Sequence, residues 1–428
     1  MKFTAVGDVL PQKRMTHSYD GFEKVKEFIC QGDGRFFNLE TTLNREGECF
    51  ASQFSGGTYV RTDPEVFYDM LRFGFNMTSA NNNHTFDFSY EGLAKTLGTL
   101  NESGITHSGI GNNLHQASAP AYLETDKGRV GLVSVNTYFD APMMAGMQSR
   151  RVPGRPGING IRVTQKMILP PDAFAFAQTI AKKTGINAES DLDRASGYTL
   201  PLPDGICELG SLRCILGEDY GTVYEMHPSD VNRLKESIKE AARSCDYVMV
   251  SIHTHQIYGT ATEENPPFME ELAHLAVDEG ANAVIVHGPH CLRGIEVYRD
   301  SPVFYSLGDF VLELYDVPLA PEDFYMKYGL TSDAGIMNLL ETRSKGFTRG
   351  LMEDPSMLES VIPYWEADGK KLTSLKLMPI RISRGEGKHL EGLPQPAADT
   401  EFMNRLADMS KTYGVTIKME DGIAVCSW

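Results

Sequence analysis

Five short apolar runs in this chain each end on side chains able to bind a hard or borderline cation, and that coincidence constrains the fold more than any other feature. Lys2-Phe-Thr-Ala-Val6 leads into Gly7-Asp8, and Arg35-Phe-Phe37 leads into Asn38-Leu39-Glu40. Phe75 to Ala80 leads into Asn81-Asn82-Asn83-His84. Tyr247 to Ile252 leads into His253-Thr254-His255, and Ala283 to Val286 leads into His287-Gly288-Pro289-His290. If the runs are buried strands, their ends converge on one sheet edge, where open α/β folds place their ligands. Such a set predicts a multinuclear metal site assembled from strand ends.

With 428 residues the chain exceeds a usual single domain, so it forms one large α/β domain with sizeable insertions, or two domains. A net charge of −17 argues against nucleic acid as a partner, because such binders display basic patches. The seven cysteines are scattered, odd in number and without a C-x-x-C pair. That usage favours reduced thiols and a cytoplasmic location. The first strand starts at Lys2, which argues against a signal peptide unless a leader has been trimmed away. No apolar run approaches the ~20 residues that span a bilayer.

The spacing predicts helices over Phe22 to Cys30, from Asp63-Pro64 to about Phe73, and from Ser89 to Ser103 with Gly104 as the stop. Tyr122 to Val135 reads as a hairpin turning at Asp126-Lys-Gly128. Alternation of this kind gives a layered α/β fold. From about 140 to 225 the pattern breaks into Met, Gly and Pro, with one clear helix from Asp172 to Thr184. This is expected to be an insertion, suited to a lid or to plain packing. Core pattern resumes with helices over Pro228 to Ser244 and Pro266 to Glu279, each preceding a His-terminated strand. An antiparallel pair follows, Gly294 to Tyr298 and Pro302 to Ser306. Residues 1–316 are expected to form the catalytic domain. Residues 317–428 form a C-terminal extension packing on it, strand-rich from Pro363 to Arg384 and helical from Thr400 to Thr412.

One Asp, one Glu, one Asn and two or three His suit two adjacent divalent metals better than one. Glu40 is the natural bridging carboxylate. Two such metals, ~3.5–4 Å apart, polarise a substrate oxygen and bring the pKa of a bridging water near neutrality, which makes a hydroxide nucleophile available. Neighbouring residues at a strand end point different ways, so Asn83 is assigned as a ligand and His84 as the acid/base. Asp87, three residues on, is placed to orient the His84 ring. Each residue taken singly has a structural alternative, a turn cap or a backbone-satisfied histidine; recurrence at strand ends is what favours metal.

The same residues resemble a known family. Gly7-Asp8-Val9, Asn38-Leu39-Glu40, Asn82-Asn83-His84-Thr-Phe-Asp87 and Tyr305-Ser306-Leu307-Gly308-Asp309-Phe310 are similar to signature blocks of the CapA-type poly-γ-glutamate (capsule) biosynthesis proteins. So are Gly109-Ile-Gly111-Asn112, Ser251-Ile-His253 and His287-Gly288-Pro289-His290-Cys-Leu-Arg293-Gly294-Ile-Glu296. That family belongs to the calcineurin-like metallophosphatase superfamily. The resemblance therefore implies a four-layer α/β/β/α sandwich around a dinuclear metal centre, here with an insertion and a C-terminal extension. It implies Asp8, Glu40, Asn83, His253, His287 and His290 as ligands, with His84 in the acid/base position and Mn, Zn, Fe or Ca as candidate ions. The chain departs from the superfamily pattern at three places. Val9 and Leu10 replace an Asp-x-His, Glu40 replaces a bridging Asp, and the last histidine pair is spaced by two, leaving His287 versus His290 open. His253-Thr-His255 stands where many members carry His-Trp-Gly, so His255 is an extra ligand or a substrate contact.

Arg150, Arg151 and Arg155 make the only strongly basic loop, and an arginine can clamp a carboxylate. Arg151 and Arg155, with Arg14, are therefore candidate substrate contacts, the alternative being solvated turn residues. Arg293 is expected to pair with Glu296 or Glu313 if it does not contact substrate. The leading function is metal-dependent hydrolysis of a peptide-like or γ-glutamyl substrate. Alternatives are α-proton abstraction giving epimerisation, phosphoester hydrolysis, and non-catalytic binding of a capsule polymer.

Overall fold

A computed structural model describes every residue of the chain except Asp399. The chain divides into two compact units, one made of residues 1–160 and 232–428, the other of 161–231.

The large unit is built on two sheets. The central strand of the first, Lys2–Leu10, is buried from its second residue onward and lies parallel to Gly34–Leu39, which continues to Met77–Ser79 and Thr106–Ser108. Its opposite edge is shared by two partners. Lys2 to Thr4 pair antiparallel with Glu359–Asp368, and Asp8 to Leu10 pair parallel with Asp309–Leu312. Beyond Glu359–Asp368 come Lys371–Ile382, Ile423–Ser427 and Thr416–Glu420. The second sheet has the order Ile295–Tyr298, Ser301–Phe304, Ala283–His287, Tyr247–His253, Gly128–Asn136, Ala121–Thr125.

Period-two alternation sorts the side chains into layers. Phe3, Ala5, Phe36 and Met77 of the first sheet meet Leu132, Tyr247, Met249 and Ile285 of the second, so the sheets pack face to face. Phe3 stacks on Tyr247 at 4.1 Å and on Trp365 at 5.4 Å, and the Trp365 indole donates to the Tyr247 hydroxyl at 2.9 Å. The other face of the first sheet, with Val6, Val9, Phe37 and Leu39, is covered by helices Phe22–Ile29, Pro64–Leu71 and Ser89–Ser103. Helices Pro228–Ser244 and Pro267–Asp278 cover the second sheet, the former bringing Ala241 against Gly131 and the latter packing on Ala283–His287. The result is the four-layer α/β/β/α sandwich expected from the sequence.

The helices and strands predicted in the large unit form within a few residues of their expected ends. The insertion differs. Its unit begins at Ile161, after the predicted break, because Gly157–Ile158 pairs with Ile110–Gly111 and stays with the core. Besides helix Pro171–Thr184 it holds a second helix, Ala188–Ala195, and a four-stranded sheet in which Val163–Leu169 lies between Leu212–Leu216 and Gly221–Met226. Cys207 sits opposite Cys214 in that sheet, and all seven cysteines are free thiols. No helix among the described residues is long and apolar enough to cross a membrane.

Gly7 is demanded by the central strand's close approach to the turn before Asp309. A Cβ there would lie 1.7 Å from the Gly308 carbonyl oxygen. Gly98, in helix Ser89–Ser103, is the opposite case: a Cβ added to it would meet nothing within 4 Å. Gly7→Ala should therefore lower unfolding stability by about 3 kcal/mol, while Gly98→Ala should raise it by about 0.5–1 kcal/mol. Denaturant titration of both variants checks this.

Candidate metal centre

Strand register delivers the site. Asp8 lies opposite Asn38 on one side and Asp309 on the other, and His253 lies opposite His287 on parallel strands of the second sheet. Glu40 follows directly on Gly34–Leu39. Asn38 Nδ2 donates to Asp8 Oδ1 at 2.7 Å, and the Gly288 amide donates to Asp8 Oδ2 at 2.8 Å. Gly288 has φ +109°, and a Cβ on it would meet the Thr254 carbonyl oxygen at 2.3 Å. His290, two residues later, is held at φ +60°, a left-handed conformation uncommon outside glycine.

Three groups of side chains bring ligand atoms within 4.8 Å of one another: Asp8, His253 and His287; Glu40, His253 and His255; Asp8, His290 and Asp309. Glu40 Oε1 stands 3.7 Å from His253 Nε2, 3.6 Å from His255 Nε2 and 3.8 Å from His290 Nε2. His287 Nδ1 is 3.7 Å from Asp8 Oδ1. His253 Nε2 is 2.8 Å from Asn83 Oδ1, so Asn83 reaches the same cluster. Both Glu40 oxygens, His255 Nε2 and Asp309 Oδ2 are buried without a hydrogen-bond partner. Buried polar atoms left without a hydrogen-bond partner are costly, and a cation in the gap between them would remove that cost. The mixed nitrogen and oxygen set suits divalent metals of the Mn, Fe and Zn type.

The electrostatics agree with that donor set. Burial, followed by the charges of Asp8 and Asp309, pushes the Glu40 carboxyl well above its usual range. Burial, then the neighbouring imidazoles, holds His253 and His255 well below the usual histidine value. Burial likewise brings His287 down to about 4, against the pull of Asp8. These rings are neutral and offer lone pairs, as metal ligands must. His290 behaves differently. Burial disfavours its charge, but Asp309, 2.8 Å from Nδ1, raises it to about 9, and burial raises Asp309 to about 6.

Beside this cluster, His84 Nδ1 is 2.6 Å from Asp87 Oδ2. Asp87 also accepts the Gly56 amide at 3.0 Å and the Val60 amide at 2.7 Å, which marks it as a carboxylate and His84 Nδ1 as the donor. His84, His255 and His290 line a cavity of about 760 Å³ whose other wall comes from residues 340–357.

The structure thus brings together Asp8, Glu40, Asn83, His84, Asp87, His253, His255, His287 and His290. It does not bring in the three arginines. Arg14 forms a forked ion pair with Asp69, and Arg151 and Arg155 lie on an exposed loop, Arg155 donating to the Met144 carbonyl. None of the three lines the cavity. Arg293 does not pair with Glu296 or Glu313 as expected. It is buried and donates to the Thr262 and Gln256 carbonyls and to Asn265, while Glu296 accepts from Tyr305 and Glu313 accepts the Gln12 and Lys13 amides. The residue that reading the sequence missed is Asp309. Its signal was present: Gly308-Asp309 ahead of an apolar run repeats Gly7-Asp8 ahead of Val9-Leu10.

Comparison with known proteins adds the following. Residues 2–313 match the family described as bacterial capsule synthesis protein PGA_cap. An uncharacterized protein of Sinorhizobium fredii is 30% identical over 435 aligned positions, covering 98% of this chain and 92% of that protein. A "Probable polyglutamine synthesis accessory protein" of Mycobacterium tuberculosis is 24% identical, over 89% of this chain and 73% of its own length. The capsule biosynthesis protein CapA of Bacillus anthracis is 20% identical, over 73% and 60%.

Because the folded Glu40 carboxyl sits above its ordinary 4.5, the folded state holds a proton that the unfolded chain has released, so stability falls as pH rises past 4.5. In chelator-treated protein, Glu40→Gln should flatten that fall and make the variant more stable than the parent at pH 8. Thermal unfolding across pH 5 to 8, parent against variant, measures it; a steeper fall in the variant would contradict the burial argument.

Proposed function

The chain belongs to the PGA_cap family of bacterial capsule synthesis proteins, and on that premise we propose that it is a dinuclear metal-dependent hydrolase acting on a peptide-like or γ-glutamyl substrate. The observation that carries the reading is the partnerless Glu40 carboxylate, ringed by three imidazoles at 3.6–3.8 Å and adjoining the Asp8–His287 pair. In this reading Asp8, Glu40, Asn83, His253, His287 and His290 would hold the two ions. Asp309 orients His290, as carboxylates commonly orient ligating histidines. Bound there, divalent cations would supply Lewis acidity to a substrate carbonyl and acidify water toward neutral pH.

The chain's own groups do the rest. Asp87 fixes His84 Nδ1, so Nε2 is the atom free to move a proton. His84 lines the cavity, and there it protonates the leaving amine as the scissile bond breaks. Burial of Asp8, Glu40, His253 and His287 strengthens every charge interaction among them. The names of the relatives accord with a polymeric peptide-like substrate, one being named a polyglutamine synthesis accessory protein and another a capsule biosynthesis protein.

Elemental analysis of purified protein should find about two metal ions per chain, and Asp8→Ala should lose them. No binding after reconstitution with Mn²⁺, Zn²⁺, Fe²⁺ or Ca²⁺ would overturn the reading. His84→Asn should keep the metal and lose about 10²–10⁴-fold in turnover of γ-glutamyl peptides. Retained turnover would remove His84 from the chemistry.

A further inference from the structure

Two arginines that the metal cluster does not use line the same cavity as His84, His255 and His290. They are Arg343 and Arg349. Arg343 closes helix Ile336–Arg343, donates to Thr58 Oγ1 and lies with Cζ 5.6 Å from the Phe324 ring centroid. Thr58 belongs to the short segment whose Gly56 and Val60 amides grip Asp87 and whose Gly56 carbonyl accepts Asn83 Nδ2. One stretch of backbone therefore locates both the Arg343 guanidinium and the His84–Asp87 pair. Arg349 follows a tight turn in which its amide donates to the Ser344 carbonyl, and its side chain is exposed to the cavity mouth.

Neither arginine has a carboxylate partner among the described residues, although the wall they share contains acids. Those acids are already engaged. Glu353 accepts from Arg384 and Tyr315, and Asp354 caps the Ser356 amide. In a chain with 57 acidic and 40 basic residues, two exposed guanidiniums that line one cavity without an acid partner among the described residues leave their charge available to an anionic ligand there. A guanidinium is matched in shape to a carboxylate, which it binds through two parallel hydrogen bonds. The cavity, about 760 Å³, is within the size range of small-ligand sites.

We propose that Arg343 and Arg349 form a carboxylate subsite that seats a free carboxylate of a multiply carboxylated substrate while its reacting bond lies at His84. The proposal rests on the hydrolase reading and deepens it by naming the substrate as acidic on the side away from the metal cluster. It also places substrate recognition outside residues 2–313, the part matched to the family. The arginine loop at 150–155 and Arg14 have no share in it.

The test is calorimetric binding of a γ-linked glutamate trimer and of the same trimer with its side carboxylates amidated. Both are titrated into metal-loaded and chelator-treated wild type, Arg349→Gln, Arg343→Lys and the Arg343→Gln/Arg349→Gln double variant. Wild type should prefer the acidic trimer with or without metal. The double variant should bind it about tenfold or more weakly, the scale of one charge-assisted hydrogen bond, with metal content and affinity for the amidated trimer unchanged. Arg349→Gln, at an exposed side chain, should lose part of the preference, and Arg343→Lys should keep part of it. Equal binding of the two trimers by wild type, or an undiminished preference in the double variant, overturns the subsite. Metal content is read on the same samples, so failure of the metal centre shows separately as missing metal while the preference for the acidic trimer persists.

Discussion

The hydrogen bond from the Gly288 amide to Asp8 Oδ2 ties the two sheets together at the edge where every candidate ligand emerges, beside His253 to Asn83 and His290 to Asp309. Asp8 ends a run in the first sheet, and Gly288 directly follows the His287 strand of the second. With Asn38 donating to the other oxygen, each Asp8 oxygen is tethered once, and the carboxylate is aimed with its remaining lone pairs toward His287 and His290. The bond needs two glycines. Gly288 adopts a left-handed backbone against the Thr254 carbonyl, and Gly7 lets the central strand press on the Gly308 carbonyl so that Asp8 comes level with Asp309. Substituting either would move the carboxylate that aligns the two halves of the site.

Distances from the cluster's carboxylates fall into two classes with different meanings. Asn38 to Asp8, His84 to Asp87 and His290 to Asp309 are 2.6–2.8 Å apart, ordinary hydrogen-bond lengths, and these pairs act as clamps. Glu40 to His253, His255 and His290, and Asp8 to His287, are 3.6–3.8 Å apart, too long for hydrogen bonds and too buried for water-screened charge pairs. Two ligand atoms each about 2.0–2.2 Å from a shared ion at a tetrahedral angle stand about 3.3–3.6 Å apart. The gaps are therefore where an ion has room, and the clamps are what keeps the gaps open. This division separates the His84–Asp87 pair, a clamp facing the cavity, from the histidines whose second nitrogens face Glu40.

Most of this architecture was legible because strands buried on both faces announce themselves as apolar runs, and the chemistry follows at their ends. The helix over Ser89 to Ser103 was equally plain from its spacing and its Gly104 stop, and that over Pro228 to Ser244 from spacing alone. The small sheet at 163–226 was not. Its strands are half-buried or exposed over most of their length, as in Val163–Leu169 and Gly221–Met226, so they carry no clean alternation or apolar run to mark them. Arg293 was read as pairing with Glu296 or Glu313 or contacting substrate. It instead spends its donors on backbone carbonyls of the segment following His255, an arrangement that sequence spacing cannot reveal. The basic loop at 150–155 drew attention by local charge density, whereas the cavity arginines lie nearly two hundred residues further on and are brought in only by tertiary packing.

That last difference bears on what residues beyond 316 contribute. Trp365 stands in the sandwich core, stacked on Phe3 and bonded to Tyr247, and strand Glu359–Asp368 occupies the place beside Lys2 to Thr4 that would otherwise be an open sheet edge. The same central strand is thus held at its start by Glu359–Asp368 and at its end by Asp309–Leu312. The turn between those holds, Gly7, is where the strand bends to present Asp8. Residues 340–357, immediately upstream of Glu359, form the far wall of the cavity. Fixing the sheet edge and enclosing the site are consequently one structural act: the strand that protects the N-terminal half of Lys2–Leu10 also sets where the wall facing His84 begins.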